Sequence, residues 1–147
     1  MIRKINDQNE MEICIDMYLL KNDETFVSAS RSASLSALKA YLKDNAFMRV
    51  LVNDEDQIQA WILAKRTIHA HMADPVFHQL YFGSRLTGIK AVKAVIELHK
   101  ALEFEAKRLG IKRLISMSNH LDDRNTFVRI LEKDGWDRRH YLATKTV

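Results

Sequence analysis

A mixed α/β (α+β) fold built on one central sheet is predicted for this 147-residue chain, and three features predict it. Hydrophobic periodicity changes along the chain in the order β-α-α-β-β-β-α-β-α-β. The middle of the chain holds strand-like runs joined by short polar breaks, the pattern of an antiparallel meander. A long amphipathic helix then separates two further strands, which calls for a parallel, right-handed crossover. The two crossover strands, 76–82 and 112–117, are expected to be neighbours that splay apart, because the sheet changes there from antiparallel to parallel pairing. The length suits one domain over residues 1–147 with one core.

The elements follow in order. Residues 2–6 alternate apolar and polar and predict a short strand. Met11, Ile15, Tyr18 and Leu19 recur at helical spacing over 8–21, with Asp7 as the N-cap. The serine-alternating stretch through Ser28, Ser30, Ser32, Ser34 and Ser36 reads as a surface loop running into a serine cap. A second helix is predicted over 35–44, with Leu35, Leu38 and Leu42 on one stripe. Residues 47–52 predict a strand, NDEDQ a polar turn, and 58–71 a longer strand. Pro75 breaks that run before the strand 76–82, and Gly83 and Gly88 bracket a short loop. The long helix covers 87–109, with Val92, Val95, Ile96, Leu102 and Leu109 as its buried stripe and Gly110 as its stop. Strand 112–117, helix 122–134 stopped by Gly135, and strand 136–146 complete the chain.

Composition excludes several classes. The hydrophobic share is 47% and the charged share 29%, an ordinary globular balance. No run approaches the roughly 20 apolar residues of a membrane span. The N-terminus lacks a signal-peptide pattern, and neither end carries a lipidation motif. The one cysteine, Cys14, excludes an internal disulfide and a zinc–cysteine cluster. These features predict a cytoplasmic protein. Lys plus Arg number 23 against 19 Asp plus Glu, a mild basic excess that suits an anionic ligand. The basic residues are dispersed beside acids, so nucleic acid is not the expected partner.

The segment FGSRLTGIKAVKAV, residues 82–95, carries the most chemistry. It runs from strand through a short loop into a helix start, where unsatisfied N–H groups bind phosphate. Gly88 lets the backbone approach closely, and Arg85, Lys90 and Lys93 add positive charge. This segment resembles the pyrophosphate loop of the GNAT (GCN5-related N-acyltransferase) family, Q/R-x-x-G-x-G/A. Arg85 and Gly88 match that pattern; Lys90 stands where the family has Gly or Ala, and Ala91 falls one place late. The C-terminal part is similar too: Asn119 follows a strand, Asn125 opens a helix, and Gly135-Trp136 closes it. The ending NTFVRILEKDGW resembles small phage-encoded members. Leu131 departs from the pattern, standing where many members have a tyrosine that protonates the leaving thiolate, which leucine cannot do.

The resemblance implies an acyl-CoA-dependent N-acyltransferase, with acetyl-CoA the expected cofactor and a small-molecule or peptide amine the acceptor. It implies CoA contacts from Leu80, Phe82, Gly83, Arg85, Leu86, Thr87, Gly88, Ile89, Lys90, Asn119 and Asn125. The pyrophosphate would sit on the N–H groups of residues 85–90, and pantetheine would pair with 79–83 like an added strand. His78, Tyr81 and Asn119 are the catalytic candidates; His69 and His71 are further bases, and His140 and Tyr141 could order a proton-carrying water. His69 and His71 lack an evident third metal ligand. His99 reads as a core residue, and Cys14 as a packed thiol. A GNAT-fold protein that has lost catalysis and serves as a binding or structural module is the alternative, motivated by Lys90 and Leu131. The first two helices, which choose the acceptor in this family, are the least patterned part, and a homodimer or larger assembly stays open.

Overall fold

The structure is a computed structural model and describes residues 1–22, 31–68, 74–116 and 126–137. Its order is β1 (Ile2–Arg3), α1 (Gln8–Asn22), α2 (Arg31–Lys43), β2 (Phe47–Val52), β3 (Ile58–Thr67), β4 (Val76–Ser84), α3 (Gly88–Arg108), β5 (Leu114–Ser116) and α4 (Thr126–Lys133). Among the described residues the strands form one five-stranded sheet in the order β1-β2-β3-β4-β5. The first four pair antiparallel, and β5 joins β4 in parallel, as the long crossover helix requires.

Each face of the sheet has its own core. Cys14, Ile15 and Met17 of α1 and Leu38 of α2 pack on Met48, Val50, Val52, Trp61 and Leu63. On the other face Ala94, Leu98, Leu102 and Ala106 of α3 cover Phe47, Ala60, Ile62 and Phe77. The alternation of Trp61 and Leu63 against Ala60, Ile62 and Ala64 along β3 assigns neighbouring residues to opposite faces. The helix α4 packs against α3.

The chain start is tied by charge. Asp7 caps α1, its Oδ1 accepting the Glu10 N–H at 2.9 Å, as the sequence predicts. Glu10 in turn accepts two bonds from the Arg3 guanidinium and one from the Asn6 N–H. Arg3 also donates to Asp56 at 2.9 Å, so one side chain joins β1, α1 and the turn after β2. In that turn Asn53 Oδ1 accepts the N–H groups of Glu55 and Gln57.

Several boundaries differ from the sequence reading. The helix α2 begins at Arg31, four residues before the expected start, so Ser32 and Ser34 are helical instead of forming a loop and cap; Ser28 and Ser30 lie outside the described residues. Ala33, Leu35 and Ala37 alternate with the serines and favour helix, and Arg31 grips Asp16 of α1 with two hydrogen bonds. Strand β1 ends at Arg3, β3 ends at Thr67, and β5 starts at Leu114, two residues later than expected, its described part running to Ser116. Gly83 belongs to β4, not to the loop, because the ladder with β3 continues to Ser84 opposite Ala60. On α3 the buried stripe is Ala94, Val95, Leu98, His99, Leu102 and Ala106. Val92 and Leu109 lie exposed outside it, since the small alanines let the helix approach the sheet on a neighbouring side. Trp136 and Asp137 are not in a strand, and the rest of the expected strand 136–146 lies outside the described residues. No helix among the described residues is long and apolar enough to cross a membrane.

Candidate functional site

The site begins at the end of the described β4–β5 ladder. Their pairing joins Phe77, His78 and Gln79 to Leu114, Ile115 and Ser116. At its last step the Ser116 hydroxyl donates to the buried Gln79 Oε1. From Leu80 to Ser84 the described ladder of β4 is with β3 alone. This one-ended pairing agrees with the splay expected from the change in strand direction.

A β-bulge marks the same place. Leu63 faces Tyr81 and Ala64 faces Gln79, so Leu80 is an extra residue on β4. Leu80 and Tyr81 consequently both pack toward the α1/α2 core. Phe82 returns to the α3 side, against His99 at 5.7 Å and Phe127 at 5.5 Å between ring centroids. Gly83 faces Trp61, and a β-carbon added there would lie 2.2 Å from Trp61 Nε1, so only glycine fits unless the indole moves.

The loop after β4 is pinned at its start. The Arg85 N–H donates to the Gln59 carbonyl at 3.0 Å, and the Leu86 N–H to the Ser84 hydroxyl at 3.1 Å. Thr87 is extended and makes no side-chain cap bond to α3. Gly88 opens the helix at φ +61°, with nothing near the place where a β-carbon would stand. The N–H groups of Thr87, Gly88, Ile89 and Lys90 therefore lie at the helix start, where no carbonyl of the same helix reaches them. Arg85, Ile89, Lys90 and Lys93 are exposed. Lys90 and Lys93 line an open groove of about 250 Å³ with Leu86, Glu97, Asn53 and Gln59.

On the α1/α2 side Tyr81 is surrounded by rings. Its centroid is 5.1 Å from Tyr18, 6.4 Å from Tyr41 and 5.7 Å from Trp61, on which it stacks. Burial, with the neighbouring tyrosines, pushes the Tyr81 phenol up, and burial does the same to Tyr18. Lys65 extends over the Tyr41 ring at 5.6 Å and stands opposite His78 in the ladder. His99 is enclosed by Phe82, Phe127 and Trp136, and its Nδ1–H donates to the Val95 carbonyl at 2.7 Å. Burial pulls its pKa down to about 4, so it is neutral and part of the core. Burial pushes the Cys14 thiol up to about 12, which removes it as a nucleophile.

Of the sequence candidates, Leu80, Tyr81, Phe82, Gly83, Arg85, Leu86, Thr87, Gly88, Ile89 and Lys90 form one continuous strand, loop and helix start, with His78 just before the bulge. Leu131 is buried, 4% exposed. Asn119, Asn125, His69, His71, His140 and Tyr141 lie outside the described residues. Among the described residues no group of three or more His, Cys, Asp or Glu could hold a metal ion. Sequence reading passed over Trp61, Tyr41 and Ser84. An indole on the neighbouring strand gives no local signal of the glycine it faces, although Tyr18 and Tyr41 share their helices with the apolar stripes.

No family model matches the chain, and no curated protein matches it in sequence. Solved structures do match the fold. The aminoglycoside antibiotic 6'-N-acetyltransferase AAC(6')-Ih from Acinetobacter baumannii aligns with a TM-score of 0.72 at 14% identity, covering 100% of this chain and 98% of that one. The aminoglycoside acetyltransferase meta-AAC0020 from an uncultured soil metagenomic sample aligns at 0.73 and 13% identity, covering 100% and 95%. A tetramutant of the BH1408 protein from Bacillus halodurans gives 0.75 at 12% identity, covering 100% and 99%. The chain thus has an acetyltransferase fold of the GNAT type, the fold that its loop and C-terminal motifs implied.

Proposed function

We propose that residues 1–147 form a single GNAT domain that transfers an acyl group, acetyl in the first instance, from acyl-CoA to an amine. The observation that carries this reading is the opening of α3 at Gly88 directly after β4, whose described pairing with β5 stops at Gln79. A strand with a helix N-terminus at its end suits a ligand with an extended amide-bearing arm and a phosphate group. The residues fit that ligand: the space at Gly88 is open, and Arg85, Lys90 and Lys93 lie exposed in the same loop and first turns of α3.

When bound, acyl-CoA supplies a thioester whose carbonyl an amine attacks, the C–N bond forming as the C–S bond breaks. The N–H groups of Thr87, Gly88, Ile89 and Lys90 would hold the phosphates, those of Arg85 and Leu86 being engaged internally. Residues Leu80–Gly83 would present the backbone to the pantetheine arm, with Phe82 and Leu86 as apolar contacts. His78 would take a proton through water and Tyr81 would position the acceptor; Asn119 and Asn125 complete the proposed set. Buried Leu131 offers no proton to a leaving thiolate, so water serves that role and turnover is slow, general acids typically contributing about 10²–10⁴-fold. The same observation favours a second reading, a GNAT-fold binding or structural protein without catalysis. A cytoplasmic setting is part of the proposal.

Calorimetric titration with acetyl-CoA tests the reading. The parent should bind, and Arg85→Ala and Lys90→Glu should each weaken binding about tenfold at low salt. Absence of binding in the parent overturns the proposal; binding without thiol release from any amine supports the second reading.

A further inference from the structure

We infer that the acceptor is an amine on an aromatic or apolar body that also bears a carboxylate, lying on a wall made by Tyr18, Tyr41 and Tyr81. The inference rests on the acyltransferase reading for the fate of the amine. The wall itself is a feature of the free protein.

Three elements distant in sequence bring their tyrosines to one spot. Tyr18 comes from α1, Tyr41 from α2 and Tyr81 from β4, and all three are half-buried. Trp61 lies fully buried beneath, stacked on Tyr81 with 17° between ring planes. The wall therefore has a rigid covered side and a partly open side. Its place is set by the bulge: Leu80 turns Tyr81 to this face just beyond Gln79, the last residue of β4 in the described ladder with β5. The reacting carbonyl of the proposed donor would lie along the same stretch of backbone.

The charges around the wall choose among amines. Lys65 already covers the Tyr41 ring, which removes that face from cation–π binding of a second cation. Among the described residues no carboxylate pairs with Lys65. Glu12 and Asp16 of α1 are both committed to Arg31. Among the described residues a polycationic acceptor thus finds a like charge at Lys65 and no carboxylate left to answer it. An acceptor with a carboxylate finds Lys65, and its ring or alkyl body finds the tyrosines. The burial that raises the Tyr18 and Tyr81 phenols also disfavours an ammonium ion, leaving the neutral amine that attack needs.

The test needs no acyl-CoA. Trp136→Phe leaves Trp61 as the sole tryptophan, since the chain has two. Its emission is followed while the protein is titrated with phenylalanine, phenethylamine and kanamycin. Phenylalanine should give a saturable change, phenethylamine should bind about tenfold more weakly, and kanamycin should give none. Lys65→Glu should abolish the preference for phenylalanine over phenethylamine, and Tyr41→Leu should weaken both. The inference is overturned if kanamycin binds more tightly than phenylalanine, if none of the three perturbs Trp61, or if Lys65→Glu leaves the preference intact. Failure of acetyl-CoA to bind in calorimetry overturns the acyltransferase reading instead, and leaves the Trp61 signal to be read by itself.

Discussion

The pyrrole edge of Trp61 occupies the place where residue 83 would carry its β-carbon, 2.2 Å from Nε1. The two residues face each other across β3 and β4, and the indole is 0% exposed. Gly83→Ala must therefore displace a packed ring, at a cost of about 1–3 kcal/mol. Denaturant melts should show this loss. Trp61→Ala alone should cost about 3–5 kcal/mol, and in its background Gly83→Ala should be nearly neutral, the non-additivity expected of residues in contact.

His99 should make stability depend on pH. Its native pKa, about 4, lies below the value near 6.5 of an unfolded chain, because burial disfavours the charged ring. The unfolded chain then binds the extra proton between these values. The contribution is complete above about 6.5, falls as pH drops, and is gone below about 4, roughly 3 kcal/mol in all. Urea midpoints at pH 7 and 5 should differ in the parent, and the difference should shrink in His99→Phe.

The Arg3–Glu10 pair should act at lower pH. Hydrogen bonds from Arg3 hold the Glu10 carboxyl below its ordinary value, so its contribution is present above about 4.3 and lost as pH falls through the native value. Glu10→Gln should cost about 1–3 kcal/mol at neutral pH, the range for charge-assisted bonds. Parent and variant stabilities should converge in acid.

Leu131→Tyr puts a phenol into a space that is only 4% exposed. We expect a stability loss of about 1–3 kcal/mol from overpacking, measurable by thermal melts. If the proposed chemistry operates, thiol release with an accepted amine should rise despite that loss.

Much of the fold was legible because its elements carry strong periods. The strand Phe47–Val52, the turn after it and the long helix fall where pattern and turn residues put them. The start of α2 was not legible, because alternating serine and alanine suit a loop as well as a helix until Arg31 meets Asp16. The glycine-bearing loop was visible as a helix start. What the sequence could not show was which of its N–H groups are already taken, since the Arg85 bond depends on Gln59, a residue of another strand. The tyrosine wall was hidden for the same reason: Tyr18, Tyr41 and Tyr81 meet only once helices and sheet are packed.

The extra residue Leu80 divides β4 into two reading frames. Before it, odd-numbered Phe77 faces α3; after it, even-numbered Phe82 does. Deleting Leu80 would make the pairing with β3 regular and leave Tyr81, Phe82 and Gly83 on the faces they now hold, since Gln79 and Tyr81 already oppose the consecutive residues Ala64 and Leu63. Inserting one residue after Tyr81 would instead turn Phe82 out of the histidine's enclosure and Gly83 away from the indole in one event. A single-codon deletion at Leu80 should therefore be far less damaging than a single-codon insertion just beyond it.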